Sequence, residues 1–132
     1  MNIEKYTERS QGFIQSAQTH ALGQGHQQFS PLHLLKVLLD DKEGMASGLI
    51  ERAGGNPKVA RAELEAALNR IPKVSGGGSQ LYLSRELARL FETAESAAQK
   101  AGDSFVTVER LLLALAIEKD AEAGKILAAA GV

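Results

Sequence analysis

The stretch that decides the fold is Phe29-Ser-Pro-Leu-His-Leu-Leu-Lys-Val-Leu-Leu39. Ser30 and Pro31 mark a helix start, because serine caps free backbone N–H groups and proline at the first helical position loses no hydrogen bond. Leucine and valine then occupy nearly every side of the helix, which predicts that it is central and buried. A similar stretch recurs 76 positions later, at Phe105-Val-Thr-Val-Glu-Arg-Leu-Leu-Leu-Ala-Leu115.

The segments around both stretches also recur. An alanine-rich helix ending in glycine precedes each one, at residues 17–25 and 94–102, and a short glycine-containing helix follows each one, at residues 48–54 and 124–131. Internal repetition of this kind is typical of a duplicated supersecondary unit. We therefore predict an all-α domain built from two pseudo-symmetric repeats of a small helical bundle, with seven to eight helices and no strands.

The repeats are expected at residues 7–71 and 83–132 of a single domain covering 1–132, with a glycine-rich connector at 72–80. Helix starts are predicted at the capping residues Thr7, Ser30, Asn56, Ser84 and Thr107. Symmetry predicts an eighth helix after the seventh, as the fourth follows the third. We therefore expect the chain to be a fragment of a longer protein.

The composition excludes several classes of protein. The 132 residues contain no cysteine, which rules out disulfides and thiolate metal sites. A net charge of −1 argues against a nucleic-acid surface. The longest apolar run, residues 111–117, is too short to span a bilayer, and the N-terminus lacks the apolar core of a signal peptide. These features fit a cytoplasmic protein.

No motif for catalysis or cofactor binding is found. Gly76-Gly-Gly-Ser79 lacks the lysine of a phosphate-binding loop, and no serine lies in a nucleophile elbow. His20, His26 and His33 lack the spacing of metal ligands on one helix face, and His33 is expected to be half-buried and bonded to backbone. We predict a domain that is not an enzyme and holds no cofactor or metal.

The candidate site comes from positions where the repeats differ. The loop before the second central helix, Gly102-Asp-Ser-Phe105, looks one residue shorter than Gly25-His-Gln-Gln-Phe29. Asp103 then has no counterpart, Glu109 replaces His33, and Thr7 opens its helix where the second repeat has Leu83-Ser84. The three residues could line one polar patch at the seam between the repeats. They could instead be an N-cap, a turn residue and a partner of the helix dipole.

A second candidate is the row of small residues Ala94, Ala97 and Ala98. Small side chains at helical spacing either permit close helix packing or line a shallow groove. Phe91, on the same helix, reads as a core residue.

The chain resembles the N-terminal domain of the Clp ATPases over essentially its whole length, and the disaggregating members of that family most of all. The resemblance rests on the duplication and on three motifs: Phe29-x-Pro-Leu-His-Leu-Leu35, Ala67-Leu-Asn-Arg-Ile-Pro-Lys-Val74, and Ala101-Gly-Asp-x-Phe105 with Glu109. It implies a mobile, non-catalytic module, monomeric when isolated. In the full-length protein this module would be linked to a homo-hexameric AAA+ motor that binds ATP and Mg²⁺ and works with the DnaK chaperone system.

The resemblance also implies a ligand and a site. The ligand would be an exposed apolar segment of an unfolded or aggregated polypeptide. Thr7, Asp103 and Glu109 would form a polar substrate-handling surface, and a groove nearby would include Phe91, Ala94, Ala97 and Arg110. Members of the family commonly carry larger aliphatic residues where this chain has Thr93, Ala97 and Arg110, so a shallower groove and weaker binding are expected.

Two other functions remain open at this point. The domain could dock folded adaptors or degrons, as in the protease-feeding members of the same family. It could also be a structural spacer that binds nothing.

Overall fold

The computed structural model describes residues 2–73 and 81–132, so most of the predicted connector, residues 74–80, lies outside the described residues. A 3-10 turn at Ile3–Lys5 precedes the first α-helix. The helices are α1 (Glu8–Gly23), α2 (Pro31–Leu39), α3 (Met45–Arg52), α4 (Pro57–Asn69), α5 (Arg85–Lys100), α6 (Val108–Ile117) and α7 (Glu122–Ala129). Two short strands, β1 (Gln28–Phe29) and β2 (Tyr82–Leu83), complete the described elements. The predicted all-α class is confirmed.

The predicted helix starts are found where the capping residues place them. The Oγ atoms of Thr7, Ser84 and Thr107 accept hydrogen bonds from backbone N–H groups three residues on. At α2 the arrangement is different, because the Ser30 N–H donates to Nδ1 of His33 at 3.0 Å. A histidine there fills the place that glutamate has in an ordinary capping box.

The two repeats are related by a constant shift of 77 residues. Helices α1 and α5 begin at Glu8 and Arg85 and have equal lengths, and so do α3 and α7, which begin at Met45 and Glu122. Glycines with positive φ follow the same rule, at Gly25 and Gly102 and again at Gly54 and Gly131. The shift of 76 read from the aromatic residues is therefore wrong for α2 and α6, and the two loops before them are equally long.

Short parallel pairings join the repeats, which corrects the expectation of no strands. Phe29 in β1 lies opposite Leu83 in β2, and Tyr6 forms an isolated bridge with Val106. Under the 77-residue shift Phe29 corresponds to Val106 and Tyr6 corresponds to Leu83, so the two pairings are equivalent by symmetry. Strands of two residues leave no alternation in the sequence, and periodicity could not have predicted them.

Helices α2 and α6 lie at the centre and contact each other, and most of their side chains are buried. At the junction the ring of Tyr6 meets that of Phe91 edge-to-face, with 5.9 Å between centroids. Ser10 is also buried and donates from Oγ to the Val106 carbonyl at 2.9 Å. Phe91 is 1% exposed, which confirms the prediction that it is a core residue, whereas Leu22 at the end of α1 is 45% exposed.

Candidate functional site

The constant shift identifies the residues in which the repeats differ. Asp103 is the counterpart of His26, and Arg110 is the counterpart of His33. In the first repeat His26 Nδ1 lies 2.8 Å from His33 Nε2, and both rings are buried. In the second repeat Nε and Nη2 of Arg110 each lie 2.9 Å from Oδ2 of Asp103. A buried neutral pair in one repeat has thus become a surface ion pair in the other.

This register corrects two expectations. Asp103 has a counterpart after all. Glu109 corresponds to Leu32 and not to His33, so it is a carboxylate at a position that is buried and apolar in the first repeat. It lies in the first turn of α6, as expected of a partner for the helix dipole.

The histidine pair has one proton arrangement that satisfies its contacts. His33 Nδ1 accepts from the Ser30 N–H, so its proton is on Nε2 and is donated to His26 Nδ1. Burial lowers the pKa of His33 to about 4, and burial also lowers the pKa of His26. The predicted backbone bond of His33 is confirmed, but the ring is fully buried and not half-buried.

A cleft of about 470 Å³ opens where the N-terminal segment meets α5 and the loop before α6. We call it the seam cleft, because Lys5 comes from the segment that leads into the first repeat and the other lining residues come from the second repeat. Its wall is fixed by Tyr6, whose hydroxyl donates to Glu95 at 2.7 Å. Burial and the neighbouring Glu95 carboxylate raise the pKa of Tyr6, which stays neutral. The lining residues are Lys5, Glu92, Glu95, Ser96, Ala98, Gln99, Asp103, Ser104, Phe105 and Val106.

A second depression of about 570 Å³ lies between α3, α6 and α7, and we call it the α3–α6 groove. Its floor is apolar and its rim carries Asp103, Thr107, Glu109 and Arg110. The apolar residues are Leu49, Ile50, Ala53, Leu112, Leu113, Ala116, Leu127 and Val132.

The structure brings together only some of the predicted site residues. Asp103 borders both depressions, while Glu109 and Arg110 line the α3–α6 groove. Thr7 lines neither of them. Its Oγ accepts from the Ser10 N–H, and its own N–H donates to the Val106 carbonyl at 3.1 Å. Thr7 therefore helps to hold the junction between the repeats.

Two predicted contact residues lie below the surface. Phe91 and Ala94 are each 1% exposed, because the inner face of α5 packs into the core. The expectation that a bound polypeptide contacts them is wrong for this conformation. Ala97 is half-buried and lies with Thr93 in a separate shallow depression on α5.

Phe105, which is 51% exposed at the seam cleft, was not among the predicted site residues. The sequence comparison matched Phe105 with Phe29, but in the structure the counterpart of Phe29 is the buried Val106. The sequence does contain a signal for the correct register. The helix-capping residues and the glycines with positive φ are 77 residues apart in the two repeats, whereas the two phenylalanines are 76 apart.

Within residues 2–73 and 81–132, no group of three or more histidine, aspartate or glutamate side chains is arranged to hold a metal ion. None of the helices described there has both the length and the apolar character needed to cross a membrane.

Comparisons with known proteins agree with this architecture. A family profile described as the Clp repeat (R) N-terminal domain matches residues 5–130. The ClpB chaperone of Rhodopseudomonas palustris is 65% identical over 133 residues, an alignment covering 100% of this chain and 15% of that protein. The ClpB chaperone of Rickettsia felis is 43% identical with the same coverage. The chain thus spans about 15% of the length of these curated relatives.

Solved structures show the same fold. The N-terminal domain of Hsp104 from Candida albicans superposes with a TM-score of 0.84 at 23% identity, covering 97% of this chain and 83% of that one. The N-terminal domain of the ClpV1 ATPase from Escherichia coli gives 0.80 at 20% identity, covering 95% and 78%. At these identities the likeness concerns the fold alone.

Proposed function

Because this chain belongs to the family of Clp repeat N-terminal domains, we propose that it is the substrate-recognition module of a ClpB-type disaggregase. In this proposal it binds exposed apolar segments of unfolded or aggregated polypeptides in the cytoplasm and passes them to the hexameric ATPase motor of the longer protein. ATP and Mg²⁺ belong to that motor, and the DnaK system is its partner. The domain itself performs no chemistry.

The observation that carries the proposal is the exposure of Phe105 at the seam cleft. Phe105 has 51% of its surface in water, and burying the exposed half of the ring against a partner would release about 1 kcal/mol, roughly half of the value for complete burial of the side chain. Phe105 lies in the loop before α6, directly before Val106, which forms a bridge with Tyr6. The backbone that carries the ring is therefore held in place by this pairing.

The charges around Phe105 indicate which apolar segments bind best. Among the lining residues of the seam cleft, the carboxylates of Glu92, Glu95 and Asp103 outnumber the ammonium group of Lys5. They favour segments in which lysine or arginine flanks the apolar residues. Asp103 is held by Arg110, but the side chains are 43% and 26% exposed, and exposed ion pairs contribute about 0–1 kcal/mol. Asp103 can therefore exchange Arg110 for a basic residue of the substrate.

The Phe105→Ala variant tests the proposal. We expect it to weaken binding of a fluorescently labelled, reduced and alkylated model protein by about tenfold, which corresponds to about 1.4 kcal/mol. Fluorescence anisotropy measures the affinity, and the thermal midpoint should change little because half of the ring is already in water. Leu22→Ala is the matched control, since Leu22 is similarly exposed (45%) but lies on α1. Equal affinities of the wild type and Phe105→Ala would contradict the assignment.

A further inference from the structure

We propose that Arg110 competes with the basic residues of a bound polypeptide for Asp103, and that this competition sets the charge selectivity of the seam cleft. The inference rests on the proposed function, because it concerns polypeptide segments bound beside Phe105. Arg110 lowers the affinity for basic apolar segments and leaves the affinity for neutral ones unchanged. It therefore broadens the range of segments that the domain accepts.

Arg110 approaches Asp103 from the side of the α3–α6 groove. Nε and Nη2 of Arg110 each lie 2.9 Å from Oδ2 of Asp103. Of these two residues, Arg110 lines the α3–α6 groove, whereas Asp103 lines both the groove and the seam cleft. The guanidinium therefore holds the carboxylate from one side, while the carboxylate borders the cleft on the other.

Both residues have an anchored backbone, so only their side chains need to move. The Asp103 N–H donates to the Ala98 carbonyl of α5 at 2.9 Å. The Arg110 N–H donates to Oγ of Thr107, the N-cap of α6, at 3.3 Å. Breaking the ion pair therefore requires a change of rotamer and leaves the loop before α6 in place.

The first repeat shows what a permanent contact at the same two positions looks like. There His26 and His33 are 5% and 0% exposed, and their rings are joined at 2.8 Å. The side chains of Asp103 and Arg110 are 43% and 26% exposed, so water and ligands reach them. The second repeat thus has a contact that a ligand can exchange.

The charges of the seam cleft determine which ligands are affected. The carboxylates of Glu92, Glu95 and Asp103 line it together with the ammonium group of Lys5, and Arg110 neutralises one of the three carboxylates. A basic residue of the polypeptide gains the attraction of Asp103 only after it displaces Arg110. A neutral segment displaces nothing, so its affinity does not depend on this ion pair.

The test uses three synthetic peptides that share one apolar core and are flanked by lysine, serine or glutamate. Arg110→Gln removes the positive charge and keeps a polar side chain. We expect it to tighten binding of the lysine-flanked peptide by about fivefold, which corresponds to about 1 kcal/mol, the upper end for an exposed ion pair. The serine-flanked peptide should bind as before, and the glutamate-flanked peptide should bind more weakly. Fluorescence anisotropy at low ionic strength measures the affinities, and added salt should reduce the gain.

Two further variants make the result specific to the ion pair. In the Asp103→Asn background, Arg110→Gln should not change the affinity for the lysine-flanked peptide, because no carboxylate is left to be released. Arg70→Gln is the matched control, since Arg70 at the end of α4 pairs with Glu122 of α7 at 3.0 Å and both side chains are exposed. It should leave the affinities for all three peptides unchanged.

The other outcomes would overturn the proposal. Equal tightening of all three peptides would mean that Arg110 obstructs binding by its bulk and not by its charge. Weaker binding of all three would mean that the ion pair positions the loop that carries Phe105. An unchanged affinity for the lysine-flanked peptide would mean that no competition takes place at Asp103. Phe105→Ala should weaken binding of all three peptides with or without Arg110→Gln, so failure of the proposed function would be seen separately.

Discussion

Replacing Gly124 with alanine is expected to destabilise the domain by about 3 kcal/mol or more, a value at the upper end of overpacking effects. Gly124 lies in the first turn of α7, directly beneath the end of α6. A Cβ there would be 2.1 Å from the Glu118 carbonyl oxygen and 3.1 Å from the Leu115 carbonyl oxygen. Both are backbone atoms, so no side chain can rotate away and the two helices must separate.

The measurement is urea denaturation of Gly124→Ala against Gly12→Ala. Gly12 lies within α1, where an added Cβ would meet nothing within 4 Å. Alanine is favoured over glycine in a helix by about 1 kcal/mol, so Gly12→Ala should stabilise the domain slightly. The contrast removes helix propensity as an explanation. A Gly124→Ala variant as stable as the wild type would show that α6 and α7 do not approach so closely.

Acidification from pH 7.5 to 4.5 is expected to remove about 3 kcal/mol of stability. The pKa of His33 falls from 6.5 to about 4 on folding, and a tenfold change in proton affinity corresponds to about 1.4 kcal/mol. Between these pH values His33 is protonated in the unfolded chain but stays neutral in the folded chain, so the free energy of unfolding decreases as the pH falls. The loss begins near pH 6.5 and levels off near pH 4.

The cause is geometric. A proton on His33 Nδ1 would face the Ser30 N–H, and a proton on His26 Nδ1 would face the His33 Nε2–H. Besides burial, the neighbouring His20 and Lys73 also lower the pKa of His26. Nε2 of His26 is buried without a hydrogen-bond partner among the described residues, so no nearby acceptor compensates a charge there.

Denaturation curves across this pH range measure the effect. His33→Asn is the matched variant, because an asparagine oxygen can accept from Ser30 but does not titrate. Its free energy of unfolding should be lower at neutral pH and should fall less than that of the wild type between pH 6.5 and 4, because the lowered pKa of His26 still contributes. A wild-type domain equally stable at pH 7.5 and 4.5 would contradict the account of the buried pair.

Most of the helices could be predicted because their ends depend on local chemistry. Ser30-Pro31 and Asn56-Pro57 specify helix starts whatever surrounds them, and the helical spacing of Leu87, Leu90 and Ala94 specifies a buried face. These signals depend only on residues that are close in the sequence. They are sufficient to locate most of the helices and their buried faces.

The candidate site could not be predicted as well, because it depends on register between distant segments. The exposure of Phe105 follows from the pairing of Tyr6 with Val106, which are a hundred residues apart. Because the sequence comparison was out of register by one residue, it matched Phe29 with Phe105 when the true counterpart is Val106. In the same way it matched His33 with Glu109 when the true counterpart is Arg110. The partnership of Asp103 with Arg110 was therefore missed, although both residues were candidates.

The most direct test of the central claim is an NMR titration of the ¹⁵N-labelled domain with an unfolded polypeptide. The claim is that the seam cleft, with Phe105 and Asp103 beside it, receives the polypeptide. We expect the largest amide shifts at Lys5, in residues 92–99 of α5 and in residues 103–106. Helix α4 should be unaffected. An absence of shifts in the second repeat, or shifts confined to α2 and α4, would contradict the claim.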